Sequence, residues 1–265
     1  MTALTQPLLN AALSCWVIGH RGAATLCPEN TLRSVIVARD VGALMIELDV
    51  QQSTDGELFV FHDDTLARLC GEEAAVASLS WGDLATKIVG SWQGEPLTIP
   101  RLTEIFTRLR RSVFYNIEVK TDTVQYPGIE ARLTALVAAE NLVERVLISS
   151  FYHESLRLVR QSDSRLSLGL LLNREQAKRL GSPTAIVARA RELSCFSVHP
   201  DFRVLRQWPD LVVACHTASL RVFPWTIDDP QDWQVRVNEL HVDGIITNDP
   251  GRLYDWLLAR SLPET

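Results

Sequence analysis

Short runs of apolar residues recur along the chain at 15–18, 44–50, 58–61, 113–119, 146–149, 166–171, 195–198, 221–226 and 244–246. Several are apolar at nearly every position, the pattern of strands covered on both faces of a parallel sheet. Most are separated by helix-length amphipathic stretches, among them 29–40, 129–139, 154–160 and 183–192. The first of these follows Pro28, with Glu29 or Asn30 available as an N-terminal cap. Strand and helix alternating over about 230 residues predict an α/β fold built as a closed (β/α) barrel, with a doubly wound open sheet as second choice. The turn after the first run reads GHRGAA and lacks the GxGxxG of dinucleotide-binding sheets, which favours the barrel.

Two segments break the alternation. In IELDVQQSTDGELFVFHD only Asp55-Gly56 separates two strands, a strong tight-hairpin signal that makes them antiparallel. If these two residues form the turn, Thr54 faces Glu57, and counting outward sets Asp49 opposite His62. The segment of about 64–101, rich in Gly, Trp and small residues, is too long for a plain connection. It reads as a small insertion after the third strand that crosses one face of the barrel, and the expectation is one domain over 1–265.

In a parallel barrel the reactive groups lie where strands end, because the loops that follow surround the mouth. His20 and Arg21 follow the first strand, Glu47 and Asp49 lie on the second, and His62 and Asp63 follow the third. The fourth carries Glu118 and Lys120, and later ends offer Ser149, Ser150, His199, Trp225 and Thr226. Glu47 and Asp49 are two apart and share a strand face, as do Glu118 and Lys120. Three carboxylates aimed at one point repel unless a cation sits between them, and an all-oxygen set suits Mg²⁺ or Ca²⁺ rather than zinc. With Arg21 and Lys120 beside it, such a site suits a phosphate, and two flanking imidazoles could serve as acid and base. Taken singly each feature is ordinary: an ExD pair on a strand is commonly a salt-bridged pair, and a lone histidine is commonly structural. Together at consecutive strand ends they indicate a site. His199 could line the mouth, whereas His153 and His241 read as surface residues and His216 has no evident partner. Trp225 is placed to wall the mouth, and Trp16 and Trp233 read as packing residues.

Composition narrows the class. With 46% hydrophobic and 22% charged residues the chain is an ordinary globular sequence, not a disordered, collagen-like or disulfide-stapled one. A net charge of −6 opposes general nucleic-acid binding but leaves a phosphorylated small molecule open. Five cysteines, an odd number without CxxC spacing, fit a reducing compartment. The apolar stretch at 8–18 has no preceding Lys or Arg, so it does not read as a signal peptide, and no apolar run of roughly 18 residues exists to span a membrane. The expectation is a cytoplasmic protein with no stable membrane insertion, its oligomeric state open.

HRG at 20–22, PENT at 28–31, IELDV at 46–50, TDG at 54–56, HDDTLAR at 62–68, IEVK at 117–120, SSF at 149–151, WT at 225–226 and DGIITNDP at 243–250 together resemble the glycerophosphodiester phosphodiesterase family. GSWQGEPL at 90–97 resembles its bacterial cytoplasmic type. The likeness runs over about 16–250 and implies a TIM-type barrel hydrolase that uses a divalent cation (Mg²⁺ or Ca²⁺). Its substrates would be glycerophosphodiesters such as glycerophosphocholine or glycerophosphoethanolamine, released as an alcohol and glycerol 3-phosphate. Carried over by position, it implies His20 and His62 as the acid/base pair and Glu47, Asp49 and Glu118 as metal ligands. Arg21 and Lys120 would contact phosphate, and Trp225 would lie near the glycerol. Two departures stand out: Asp228 replaces an amide in WTIDDP, an added charge that would bear on the alcohol group if it faced inward, and Cys27 precedes PENT. A phospholipase acting on membrane lipid and a non-catalytic phosphodiester-binding barrel are the alternatives.

Overall fold

A computed structural model describes residues 13–261; the reading of no signal peptide rests partly on 8–12, which lie outside the described residues. The strands are β1 (Trp16–Gly19), β2 (Met45–Gln52), β3 (Leu58–Val60), β4 (Ile88–Trp92), β5 (Glu95–Thr98), β6 (Phe114–Val119), β7 (Val146–Ser150), β8 (Ser167–Leu172), β9 (Ser197–Pro200), β10 (Arg221–Val222) and β11 (Gly244–Thr247). Each of the nine apolar runs overlaps a strand, with bounds that differ by up to two residues at most ends. Parallel pairing runs in the order β10-β9-β8-β7-β6-β2-β1-β11. The two ends meet: the Asp243 amide donates to the Val222 carbonyl at 3.1 Å, and the Ile246 amide to the Pro224 carbonyl at 3.0 Å. The sheet is therefore wrapped into an α/β barrel, as expected of the TIM type. Of the 221–226 run, β10 takes the first two residues, and Trp225 adds a separate parallel bridge to Asp201.

Alternation along the strands sorts side chains into two cores. Ile46, Leu48 and Val50 of β2 point outward to the layer between sheet and helices, with Ile117, Ile148, Leu170 and Val198. Inward positions near the strands' starts fill the barrel floor with Trp16, Ile18, Met45, Phe114, Leu147, Phe223 and Ile246. Trp16 packs between Phe114 and Phe223, with ring centroids 5.7 Å away on each side. Each such buried side chain contributes about 1.5–3 kcal/mol of transfer free energy, so the lower barrel is a plug rather than a pore.

The segment after β3 packs against the β2–β3 hairpin, where the Thr54 amide donates to the Leu79 carbonyl and the Val60 amide to the Pro100 carbonyl, both at 3.0 Å. It folds around its own apolar cluster of Phe59, Phe61, Leu66, Val76, Leu84, Val89 and Ile99, with β4 and β5 pairing antiparallel. β3 pairs antiparallel with β2, as the Asp-Gly signal predicts, but in a different register: Val50 faces Val60, Gln51 faces Phe59 and Gln52 faces Leu58. The Ser53 amide donates to the Glu57 carbonyl at 3.0 Å, so three residues, Thr54 to Gly56, form the loop. Gly56 sits at φ +86, the left-handed position that closes a three-residue hairpin. Adding one residue shifts every pair, and Asp49 now opposes Phe61, whose amide donates to the Asp49 carbonyl at 3.0 Å. The expected Asp49–His62 pairing is thus corrected. Phe61 takes the ladder position and packs in the insertion's core, and His62 is displaced past the strand end.

Candidate active site

The first turn after β1 sets the site's edge. Arg21 and Gly22 both adopt left-handed backbone, φ +53 and +93. A Cβ on Gly22 would lie 2.3 Å from Ser34 Oγ, so glycine lets this turn press against the helix Leu32–Asp40. Pressed there, the Arg21 backbone N–H donates to Glu47 Oε2 at 3.0 Å and the guanidinium reaches over the strand ends.

Glu47 and Asp49 project inward from β2 because their neighbours face the helix layer, and Glu118 does the same from β6, paired across the ladder with Asp49. One oxygen from each of these three carboxylates lies within 4.8 Å of the others, and all three residues are buried. Asn30, held at φ +56 before the same helix, donates from Nδ2 to Asp49 Oδ2 at 2.8 Å and fixes that carboxylate's orientation. Arg21 Nε stands 3.3 Å from Asp49 Oδ2, while Lys120 Nζ lies 2.8 Å from Glu118 Oε1 and 3.8 Å from Asp49 Oδ1.

These contacts divide the carboxylates. Burial raises the Glu47 pKa well above the usual range, and repulsion from Asp49 and Glu118 adds to it. Burial likewise pushes Glu118 up to about 7, with Lys120 opposing and Asp49 adding to the rise. Burial would raise Asp49 too, but Arg21, Lys120 and His62 outweigh it and hold it at about 2. Two buried carboxyls that resist ionising beside a third that does not describe a set short of positive charge. A divalent cation on these oxygens would supply it, and all-oxygen donors suit a hard ion. The residues fit the group.

Both predicted imidazoles line the same cleft. His20 Nδ1 lies 2.7 Å from Asn248 Oδ1, and its Nε2 lies 3.9 Å from Glu47 Oε2. Burial, and after it the Arg21 charge, lowers the His20 pKa to about 4. His62 Nδ1 lies 2.6 Å from Asp63 Oδ1. Arg68, from the insertion, donates to Asp63 Oδ2 and to Glu29, each at 2.6 Å, and Glu29 accepts from Arg21 at 2.8 Å. One guanidinium thus ties the supports of His62 and Arg21 together.

The cleft is lined by His20, Arg21, Glu47, His62, Glu118 and Trp225 together with Asn116, Ser149, Phe151, Leu171 and Ile246. Trp225 meets Phe151 edge-to-face, centroids 5.5 Å apart, as an apolar wall opposite the charged groups. All eight predicted site residues therefore gather at the barrel mouth: six line the cleft, Lys120 contacts Glu118, and Asp49 is paired with Glu118 across the ladder. His199, left open as a possible lining residue, does not line the mouth. It is wholly buried inside the barrel, its Nε2 2.7 Å from Ser197 Oγ and its ring against Phe223. His216, without a partner in the sequence, lies 2.8 Å from Asp243 Oδ2. Asp228 does not face the opening; its oxygens accept from Thr247 and Asn248. Among residues the sequence reading passed over, Asn116 lies two before Glu118 on the same inward face, so alternation would have found it. Nothing local flags Asn248, whose contact with His20 spans 228 positions.

A sequence model of the glycerophosphoryl diester phosphodiesterase family matches residues 20–252. The chain belongs to that family. Among similar proteins, a glycerophosphodiester phosphodiesterase of Caldanaerobacter subterraneus subsp. tengcongensis is 38% identical over 242 residues, 89% of this chain and 95% of the relative. The crystal structure of a glycerophosphodiester phosphodiesterase from Agrobacterium tumefaciens superposes with TM-score 0.75 at 25% identity, covering 93% of this chain and 99% of its own. An Oleispira antarctica phosphodiesterase, solved with the product sn-glycerol-3-phosphate, shares the fold at TM-score 0.73 and 23% identity, over 96% and 98% of the two chains. Membership makes this chain a phosphodiesterase acting on glycerophosphodiesters, as the HRG, ExD, HD and ExK elements led one to expect. Among the described residues no helix is long and apolar enough to cross a membrane.

Proposed function

We propose that the enzyme hydrolyses free glycerophosphodiesters to an alcohol and glycerol 3-phosphate, with Glu47, Asp49 and Glu118 holding a divalent cation. When bound, the cation would offset negative charge on the phosphate oxygens. Arg21 and Lys120 stand beside it to take the remaining charge of a bound phosphate. His20 and His62 each have Nδ1 occupied by a fixed acceptor, which leaves both Nε2 atoms to the substrate. One takes a proton from the attacking oxygen and the other gives one to the departing alkoxide. Trp225 and Phe151 offer the apolar surface against which the glycerol carbons pack.

The observation that carries this reading is the convergence of two imidazoles on one carboxylate-lined cleft. A membrane-lipid substrate would call for a broad apolar or basic rim. Arg68 of the insertion is engaged by Glu29 and Asp63, and the exposed large apolar side chains among the described residues are Leu26, Ile88, Tyr152 and Val213. Free diesters are therefore the favoured substrate. The test is a coupled glycerol 3-phosphate assay over choline, ethanolamine and glycerol head groups, with and without chelator. Turnover that chelator abolishes and Mg²⁺ or Ca²⁺ restores is expected. No release from any head group with saturating metal would refute the reading.

A further inference from the structure

The departure at Asp228 has a structural counterpart in a directed chain of hydrogen bonds. Asp228 Oδ1 accepts from the Asn248 backbone N–H and from the Thr247 hydroxyl, both at 2.8 Å, and Oδ2 accepts from Asn248 Nδ2 at 2.7 Å. The far end of the same amide, Asn248 Oδ1, lies 2.7 Å from His20 Nδ1. The Asn248 carbonyl is pinned in turn by the Thr25 backbone N–H at 3.1 Å and hydroxyl at 2.9 Å, so the loop holds its place.

The direction of this chain follows from chemistry alone. A carboxylate only accepts, so the NH₂ end of Asn248 must face Asp228 and its oxygen must face the imidazole. An oxygen at that position requires a hydrogen on His20 Nδ1. Nε2 of the neutral ring is left as a lone pair aimed into the cleft beside Glu47.

We propose that Asp228 is a positioning residue for His20: acting through Asn248, it fixes the ring orientation and the tautomer that presents a bare Nε2 to the substrate. This rests on the role proposed above for His20 in proton transfer. At His62 the Nδ1 side is held more directly, by Asp63. The two imidazoles are thus held by carboxylates at different removes.

The test is a swap. In D228N the two donors on Oδ1 still demand an oxygen there, so the new NH₂ group faces Asn248 and turns that amide over. Its NH₂ end then meets His20 Nδ1 and moves the ring hydrogen to Nε2. Expected in the metal-loaded enzyme is a kcat lower by about 10–100-fold with KM unchanged. ¹⁵N-histidine spectra should show the protonated nitrogen of His20 changing from Nδ1 to Nε2. N248D alone sets two carboxylates against each other and should also lose kcat. The double variant D228N/N248D restores direction, since the carboxylate at 248 accepts from both the amide and His20, and should recover most of kcat and the original ¹⁵N pattern.

Wild-type kcat together with an unchanged ¹⁵N pattern in D228N would overturn the proposal, as would a folded double variant no better than D228N. The ¹⁵N signature needs no substrate. A wild-type enzyme inactive on glycerophosphodiesters would therefore count against the catalytic reading, and an Nε2-protonated wild type against this one.

Discussion

His199 offers a quantitative check on how dry the barrel interior is. It is fully buried, its Nδ1 has no partner, and a Cβ on Gly169 would come within 2.6 Å of its ring, so nothing can relax to hydrate a charge. Burial lowers its pKa from 6.5 to about 3. Between those values the unfolded chain binds a proton that the folded chain refuses, so stability is lost as pH falls through this window. Each pH unit is worth 1.36 kcal/mol, so by about pH 4.5 this one ring costs about 3 kcal/mol, against a typical total of about 5–15. The assay is urea unfolding of wild type and His199→Gln across this range, in chelator throughout. Acid effects of His20 and His153, whose pKa values are also lowered, are common to both proteins and cancel in the difference. His199→Gln should be the less stable protein near pH 8, where it has lost a packed ring, and should gain about 3 kcal/mol on wild type by pH 4.5. A difference that stays flat with pH would refute the argument, because it would mean that the native ring is already hydrated.

Two further outcomes follow from the site. Glu118→Gln should raise the metal concentration for half-maximal activity at least about tenfold. Because Glu118 ionises only near 7 without a cation, wild-type metal affinity by calorimetry should weaken between about pH 8 and 6, and pH-independent affinity would speak against Glu118 as a ligand. Arg68→Ala frees both Glu29 and Asp63, so kcat/KM should fall about tenfold, while stability changes by less than about 1 kcal/mol for a half-exposed side chain. Unchanged kcat/KM would show that neither Arg21 nor His62 depends on that clamp.

What the sequence determined by itself is what local pattern controls. Burial on both faces makes β2 and β6 legible as apolar runs, and a period of two makes Glu47, Asp49 and Glu118 face inward once their neighbours are seen to face out. That logic needs no coordinates, so the candidate site was readable as a list of strand ends. Tertiary structure decided three things that the list left open. The hairpin register depended on one glycine's backbone conformation, and a single added residue replaced His62 with Phe61 opposite Asp49. The position of His199 along its strand, deep in the barrel rather than at its mouth, depended on how far β9 slides past β8 and β10, which no local pattern encodes. The support of His20 by Asn248 and Asp228 exists only because the barrel closes and sets β11 beside β1. Side-chain alternation is a property of each strand alone, whereas register, depth and closure are set by the packing of all strands at once.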